Sequence, residues 1–201
     1  MYTVIGGIKT RTLRVLWMLE EIGQDYDHIP AAPRSEQVRD HNISGKVPVL
    51  LDDGAALTDS TAIIQYLADK HQALTYPAGS LDRARQDGLT HFVLDEMDAI
   101  LWTAARHSFI LPEERRLPEI KDSLKWEFAT SVDRLATRLG DGPFLMGQMM
   151  TVPDIIAAHC GNWARNAKFP VENPAFIDYV ERMLARPAYR RVLERGAAPA
   201  T

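Results

Sequence analysis

The chain is 201 residues long, with 46% hydrophobic and 25% charged residues and a formal net charge of −4 at pH 7. An acidic balance without any lysine- or arginine-rich block argues against nucleic acid as a partner. No apolar run approaches the ~20 residues that cross a bilayer, so no membrane partner is expected. A single cysteine, Cys160, excludes an internal disulfide, and together with an N-terminus unlike a signal peptide it favours the cytoplasm.

The first half of the chain alternates short β-type runs with helical patterns. Strands are predicted at residues 2–5, 26–29, 47–51 and 56–58, and helices at residues 13–22, 35–41 and 60–71. Gly23 ends the first helix, and Asp53-Gly54 forms the turn between the last two strands. The order β-α-β-α-β-β-α predicts a small mixed sheet with helices packed on it.

β-type patterns disappear beyond residues 72–82, where Pro77 and Gly79 indicate a linker. Apolar spacing then predicts a long helix over residues 89–104, another over 120–139, helices that begin at Thr151 and at Asn173-Pro174, and a last one that ends near Arg195. The sequence therefore predicts two domains, an α/β domain over residues 1–75 and an all-helical domain over residues 83–201.

Pro48 lies inside the third predicted strand, in the segment SGKVPVLLDDG (44–54). Because proline cannot donate a hydrogen bond to a sheet, it indicates either an edge position or a cis Val47–Pro48 bond. A cis bond would turn the Val47 N–H and C=O away from the sheet, where they could pair with an extended peptide. Both interpretations stay open on this evidence.

Asp59 and Ser60 stand between the fourth strand and the helix that follows, in LTDSTAII (57–64). Residues of these types cap helices, which is the structural interpretation. The same helix N-terminus could bind a carboxylate through its N–H groups and the Ser60 hydroxyl, while Asp59 could hold an ammonium group. A zwitterionic α-amino acid head would suit both residues together.

The second half of the chain also contains histidines, a cysteine and a capping motif. His91, His107 and His159 show no metal-ligand spacing, so no metal is predicted. Cys160 stands in an apolar helical pattern and is interpreted as a buried structural cysteine. The segment TVPD (151–154) predicts a capping box at the start of a helix.

Several segments, taken in order, resemble the cytosolic glutathione S-transferases, in particular their bacterial members. These are GKVPVL (45–50) with DSTAIIQYLADK (59–70), RVLWMLEEIGQDY (14–26), GPFLMGQMMTVPDIIAAH (142–159) and RPAYRRVL (186–193). The resemblance implies a thioredoxin-like N-terminal domain and an all-α C-terminal domain. It also implies an enzyme of detoxification that conjugates the thiolate of glutathione to a small, largely apolar electrophile. Glutathione is the implied co-substrate, with no metal, and relatives are usually homodimers.

The resemblance also implies roles for particular residues. The Val47–Pro48 bond is cis in the family, and the Val47 backbone pairs with the cysteinyl part of glutathione. Asp59 and Ser60 bind the γ-glutamyl head, although the family commonly has Glu where Asp59 stands. Lys46 matches a position that often helps to hold the peptide, and the alternative for it is a solvated surface lysine.

The catalytic position departs from the family pattern. Many relatives place a Ser, Cys or Tyr beside the glutathione sulfur, whereas the corresponding segment here is GGIKTRTLR (6–14). Thr10 matches best when the segments are aligned on RVLW. Lys9, Arg11, Thr12 or a backbone N–H are the alternatives, and a further one is that Thr10 only caps the helix.

The acceptor substrate is the least defined part of the prediction. Trp102, Arg106 and His107, in LWTAARHSF (101–109), match the region that faces the second substrate in the family, and core packing is the alternative for the aromatic ring. The electrophile is open, as is the choice among conjugation, peroxidase, isomerase and dehalogenase chemistry. The alternative function is a glutathione-transferase-like binding or regulatory protein with little catalytic activity.

Overall fold

The computed structural model describes residues 1–197, which divide into two compact units. The first unit contains residues 1–78 and the described residues from Leu184 on, and the second contains residues 79–183. The strands are β1 (Tyr2–Ile5), β2 (Tyr26–Ile29), β3 (Val49–Asp52) and β4 (Ala55–Thr58). The helices are α1 (Thr12–Glu21), α2 (Glu36–Arg39), α3 (Ser60–His71), α4 (Leu81–Val93), α5 (Ala99–Ala105), α6 (Ile120–Leu139), α7 (Val152–Asn166), α8 (Pro174–Leu184) and α9 (Pro187–Ala197).

The described strands of the first unit form one mixed sheet in the order β2-β1-β3-β4. β1 is parallel to β2 and antiparallel to β3, and β3 is antiparallel to β4. A mixed sheet with helices, followed by a helical unit, confirms the predicted fold class. The third strand begins at Val49, paired with Ile5, and not at Val47 as the sequence predicts. Pro48 lacks the N–H that sheet pairing requires, so the strand begins directly after it.

Helix α1 is the central helix of the first unit. Each residue from Thr12 to Glu20 is buried, and the helix packs against β1, α3 and α9. A separate apolar cluster of Ile5, Ala31, Val38 and Val49 packs within the same unit. A helix that is buried on all its faces must satisfy every charged side chain that it carries.

Ion pairs join α9, and Arg186 directly before it, to the C-terminal end of α1. The Arg186 guanidinium donates to both carboxylate oxygens of Glu21, at 2.6 and 2.8 Å. Arg191 donates to Glu20 at 2.6 Å, and the Arg195 guanidinium lies 3.1 Å from the same carboxylate. Both glutamate side chains are only 6–7% exposed. The sequence places α9 in the second domain, whereas these pairs and its packing on α1 group it with the first unit.

Tyr26 completes the surroundings of Glu20. Its hydroxyl donates to the Glu20 carboxylate at 2.9 Å, and the Arg195 guanidinium stacks 5.0 Å from the centre of its ring. Burial, followed by the hydrogen bond to Glu20, raises the pKa of Tyr26 to about 12. The phenol therefore stays protonated and remains a donor at physiological pH.

The second unit is helical throughout its regular elements, as predicted. A π-helical turn at Leu94–Asp98 joins α4 to α5, and another at Arg106–Ile110 follows α5. The sequence predicts a single helix over residues 89–104, whereas the helical segment begins at Leu81 and continues to Ile110. The prediction missed the first turns of the segment because they are polar and lack apolar spacing. It missed the π-helical turns because each inserts one residue without removing the apolar spacing.

Asp154 connects three parts of the second unit. Its carboxylate accepts from the Thr151 N–H at 2.8 Å and the Thr151 hydroxyl at 3.1 Å, from the Leu145 N–H at 2.9 Å and from the Tyr179 hydroxyl at 2.9 Å. The predicted capping box is present. Burial raises the pKa of the Asp154 carboxyl, while these hydrogen bonds oppose that change. The residue therefore holds the preceding loop, α7 and α8 together.

We expect Asp154→Ala to lower the free energy of unfolding by about 2–5 kcal/mol, because it leaves the buried donors of Leu145, Tyr179 and Thr151 without their acceptor. Thr151→Val is the matched variant. It keeps the shape of the side chain and removes only the contacts of the hydroxyl, while the backbone N–H of residue 151 still donates to Asp154, so a loss of about 0.5–2 kcal/mol is expected. Urea unfolding monitored by circular dichroism measures both values. Equal losses would show that Asp154 does no more than cap α7.

Candidate functional site

The segment before β3 is fixed by hydrogen bonds from its own loop. The Asn42 side-chain amide donates to the Lys46 C=O at 2.9 Å, and the Lys46 N–H donates to the Ser44 hydroxyl at 3.3 Å. Val47 follows, half-buried, and its bond to Pro48 is cis. The Lys46 side chain is exposed. These contacts hold the main chain of Val47 in place just outside the sheet.

Gly6 brings the start of α1 close to Val47. It follows β1 with φ +137°, and a Cβ at this position would lie 2.2 Å from the Thr12 hydroxyl oxygen and 2.9 Å from the Val47 Cβ. Since such distances are sterically impossible, only glycine allows Thr12 and Val47 to approach the same backbone. The end of β1, the start of α1 and the cis peptide therefore converge in the first unit.

Asp59 caps α3 in a left-handed conformation, with φ +70°. One of its carboxylate oxygens accepts from the Thr61 N–H at 2.9 Å and from the Ala62 N–H at 3.0 Å. The structural interpretation of Asp59 is thus correct for that oxygen. Because a carboxylate has a second oxygen, the cap leaves capacity for another donor.

Ser60 is the first residue of α3 and is 3% exposed. Its hydroxyl oxygen accepts from a terminal nitrogen of Arg14 at 3.4 Å. Arg14 is fully buried on α1 and was not identified from the sequence as a site residue. An arginine within the apolar run LRVLWML was the signal that could have found it, since a buried charge requires a polar partner.

The Thr10 hydroxyl is engaged in local hydrogen bonds. It donates to the Gly7 C=O at 2.7 Å and accepts from the Thr12 N–H at 3.2 Å. The Thr12 hydroxyl lies 2.9 Å from it and acts as the donor of that pair, because the Thr10 proton is directed to Gly7. Thr10 is half-buried and Thr12 is fully buried. The two threonines, treated separately in the sequence, therefore act as one hydrogen-bonded pair.

The remaining alternatives at this position differ in exposure. Lys9 is exposed and Arg11 is half-buried. Arg11 immediately precedes α1 and makes no side-chain cap to it. These positions are consistent with contact to a ligand or to solvent.

The predicted acceptor residues lie in the second unit. Trp102 belongs to α5, and Arg106 and His107 begin the second π-helical turn. Arg106 donates to the Thr103 hydroxyl at 2.9 Å, and a His107 ring nitrogen accepts from the Leu117 N–H at 3.1 Å. Hydrogen bonds within the second unit therefore orient the side chains of Arg106 and His107.

Among residues 1–197, no group of three or more His, Cys, Asp or Glu side chains is arranged to hold a metal ion. Within the same range, every helix is too short or too polar to cross a membrane.

Substitution at Asp59 separates its capping role from its charge. We expect Asp59→Asn to stay within about 0.5 kcal/mol of the parent, because asparagine caps helices equally well and tolerates a positive φ. Asp59→Ala should lower the free energy of unfolding by about 1–3 kcal/mol, since it loses the cap and strains the left-handed backbone. Urea unfolding measures both. Similar losses in the two variants would contradict the capping role.

Sequence and fold both resemble known proteins. Residues 12–75 match the family model of the glutathione S-transferase N-terminal domain. Glutathione S-transferase GstA of Escherichia coli O157:H7 is 28% identical over 185 residues, which cover 87% of this chain and 89% of GstA. Mouse glutathione S-transferase theta-2 is 32% identical over 132 residues, which cover 61% of this chain and 52% of the theta-2 protein. That alignment therefore spans about half of the theta-2 chain.

Solved structures share the fold. BphK, a bacterial glutathione S-transferase solved as a ternary complex, superposes with a TM-score of 0.86 at 22% identity, over 98% of this chain and 100% of BphK. The glutathione transferase URE2P6 of Phanerochaete chrysosporium, solved in complex with oxidized glutathione, gives 0.83 at 24% identity, over 98% of this chain and 96% of URE2P6. The N-terminal match, the alignment with GstA and the shared fold agree, and each relates the chain to the glutathione S-transferases.

Proposed function

We propose that this protein binds glutathione in its first unit and transfers the glutathione thiolate to a small, largely apolar electrophile in the cytoplasm. The observation that carries the proposal is the contact between Arg14 and Ser60 at the N-terminus of α3. A hydroxyl that accepts from a buried guanidinium keeps its own proton for an external acceptor. A carboxylate is the acceptor that a neighbouring cation and a helix N-terminus favour.

The γ-glutamyl head of glutathione carries a carboxylate and an ammonium group. We assign the carboxylate to the Ser60 hydroxyl and N–H, with the Arg14 charge behind them, and the ammonium to the second carboxylate oxygen of Asp59. The first oxygen caps α3, and this supports the assignment because the cap fixes the direction of the carboxylate. Aspartate is one methylene shorter than the glutamate common in relatives, and its anchoring by Thr61 and Ala62 sets how far it reaches.

The cysteinyl part is assigned to the main chain of Val47, with Lys46 beside it. The hydrogen bonds that the Lys46 main chain makes with Asn42 and Ser44 support this, since a fixed backbone loses little conformational entropy when it pairs with a peptide. The exposed Lys46 ammonium suits glutathione, which is a net anion. Gly6 lets Val47 and Thr12 approach each other at the start of α1, near the position assigned to the sulfur.

We assign stabilisation of the thiolate to Thr10, with Thr12 as its donor. Rotation about the Cβ–Oγ1 bond of Thr10 would redirect its hydroxyl hydrogen bond from the Gly7 C=O to the sulfur. The bond to Gly7 that is lost is worth about 0.5–1.5 kcal/mol, whereas a hydrogen bond to a charged group is worth about 1.5–3 kcal/mol. The exchange therefore favours the thiolate.

The acceptor side is proposed on the family resemblance. Trp102, Arg106 and His107 would contact a partly polar electrophile, and the protein would act as a homodimer.

Activated halides, epoxides, isothiocyanates and peroxides, each assayed with glutathione, test the proposal. Turnover of any class above the uncatalysed rate supports it. Absence of turnover with every class would indicate the binding or regulatory alternative, and failure to bind glutathione would overturn the proposed transferase activity.

Ser60→Ala is expected to weaken glutathione binding roughly 10- to 150-fold, because a charge-assisted contact worth about 1.5–3 kcal/mol is lost. Isothermal titration calorimetry measures the change. Thr61→Ala is the matched control, since it removes the neighbouring hydroxyl and keeps the N–H that donates to Asp59. Unchanged affinity in Ser60→Ala would mean that the γ-glutamyl head binds elsewhere.

Thr10→Val is expected to raise the pKa of bound glutathione by about one unit. A thiol of the cysteine type has a pKa near 8.5, and one hydrogen bond worth about 1.5 kcal/mol accounts for roughly one unit. Thr12→Val should raise it by less than about half a unit, because Thr12 strengthens the Thr10 donor only through cooperativity. Thiolate absorbance in the near ultraviolet, titrated with pH under saturating glutathione, reports both values. An unchanged curve for Thr10→Val would transfer the role to Lys9, Arg11 or a backbone N–H.

A further inference from the structure

Ile8 stands two residues before Thr10 and contacts the last turn of α9. A Cβ at Gly196 would lie 2.5 Å from the Cδ1 atom of Ile8, 2.9 Å from its Cγ2 and 3.3 Å from its Cγ1. The half-buried Ile8 side chain therefore lies directly against the helix backbone at residue 196. Two segments from opposite ends of the sequence thus meet beside the position that is proposed to stabilise the thiolate.

The glycine at position 196 has a steric reason. Gly196 is the penultimate residue of α9, and its φ is not in the left-handed region, unlike that of a glycine that ends a helix. Inside a helix, glycine is less favourable than alanine because it loses more conformational entropy. The close approach of Ile8 explains why this position carries no side chain.

Hydrogen bonds fix the rest of the segment between β1 and α1. The Gly6 N–H donates to the Ile29 C=O at 3.0 Å, and the Nε2–H of His28 donates to the Gly6 C=O at 2.8 Å. The N–H and the hydroxyl of Thr10 both donate to the Gly7 C=O, at 3.1 and 2.7 Å. The residue that packs on α9 lies between these anchored positions, so its contact completes the support of the segment.

The end of α9 is itself held on α1. The Arg191 and Arg195 guanidinium groups lie 2.6 and 3.1 Å from the Glu20 carboxylate. The Tyr189 ring packs edge-on against the Trp17 ring, with centroids 4.9 Å apart. Arg195 immediately precedes the glycine, so these contacts make the last turn of α9 a fixed surface for the segment.

We propose that Gly196 is a positioning residue for the reaction and that, through Ile8, it sets the direction in which the Thr10 hydroxyl meets the glutathione sulfur. This inference rests on the proposed function of Thr10. Isoleucine is stiff at χ1, so its Cγ2 cannot turn away from an added methyl group and the backbone of the segment must move instead. Because hydrogen bonds weaken steeply as they bend, a small displacement of the segment weakens the contact to sulfur.

Gly196→Ala tests the proposal. Thiolate absorbance, titrated with pH under saturating glutathione, should give a pKa of bound glutathione about 0.3–1 unit above that of the parent, because a misdirected hydroxyl loses part of its hydrogen bond. The increase should not exceed that of Thr10→Val, since the glycine acts only through that hydroxyl.

The chain offers two matched glycine controls. Gly88→Ala places the same methyl group on α4, where no described atom beyond its own helix turn lies within 4 Å. Gly161→Ala places it 2.5 Å from the Val180 side chain in the second unit, which reproduces the steric conflict away from the segment. Neither variant should change the pKa of bound glutathione.

Two further backgrounds follow the effect along its path. Ile8→Ala removes the same support and should raise the pKa over the same range, so it tests the contact even if Gly196→Ala does not fold. Addition of Gly196→Ala to Ile8→Ala, or to Thr10→Val, should change the pKa by less than about 0.2 unit, because the side chain that it meets or the hydroxyl that it positions is gone.

Amide hydrogen exchange of the ligand-free protein gives a readout that does not depend on glutathione. The Thr10 N–H should exchange at least roughly threefold faster in Gly196→Ala than in the parent, and at the parent rate in Gly161→Ala. In a parent that lowers the pKa of glutathione, an unchanged pKa in Gly196→Ala or an equal increase in Gly161→Ala would overturn the inference. A parent that does not lower this pKa would overturn the proposed function instead, and the exchange rate alone would then decide whether Gly196 positions the segment.

Discussion

The charges on α1 determine how the first unit is built. The helix is buried from Thr12 to Glu20, and a buried charge is costly unless it is paired and hydrogen-bonded. Arg14, near one end, is directed to Ser60 at the start of α3. Glu20 and Glu21, near the other end, bind arginines of α9 and Arg186 directly before it. The electrostatic requirement of one helix therefore fixes the position of two others, and one of these begins with the proposed glutathione-binding residues.

Structural and proposed functional roles overlap at the same residues. Asp59 caps α3 with one oxygen and is assigned an ammonium group with the other. Thr10 is hydrogen-bonded to Gly7 and Thr12 and is assigned the thiolate. In each case the local contact orients the group before a ligand arrives, which lowers the entropy that binding must overcome. Capping and ligand binding are therefore compatible interpretations of these residues, although the sequence presents them as alternatives.

Local patterns predicted the regular elements well. The bounds of β1, β2, α3 and α6 agree with the structure, because each has clear periodicity and a turn residue or cap at its ends. The start of β3 was misplaced because an apolar run around Pro48 does not reveal where pairing begins. The grouping of α9 depends on arginines about 165–171 residues away from their glutamates, beyond any local signal. The family motifs allowed the candidate site residues to be named from the sequence. The Thr10–Thr12 pair and the Arg14–Ser60 contact could not be predicted, because they depend on side-chain directions that a sequence does not encode locally.

The ion pairs between α1 and α9 also bear on the order of events during synthesis. The first unit is discontinuous in sequence, since residues 79–183 stand between its sheet and its last helix. A chain that emerges from the ribosome N-terminus first presents Glu20 and Glu21 long before Arg186, Arg191 and Arg195 exist. Until then, the two carboxylates must remain hydrated, and α1 cannot be fully enclosed without an uncompensated burial of charge. The second unit has its whole sequence available earlier, so the first unit can be completed only after Arg186, Arg191 and Arg195 have been synthesised.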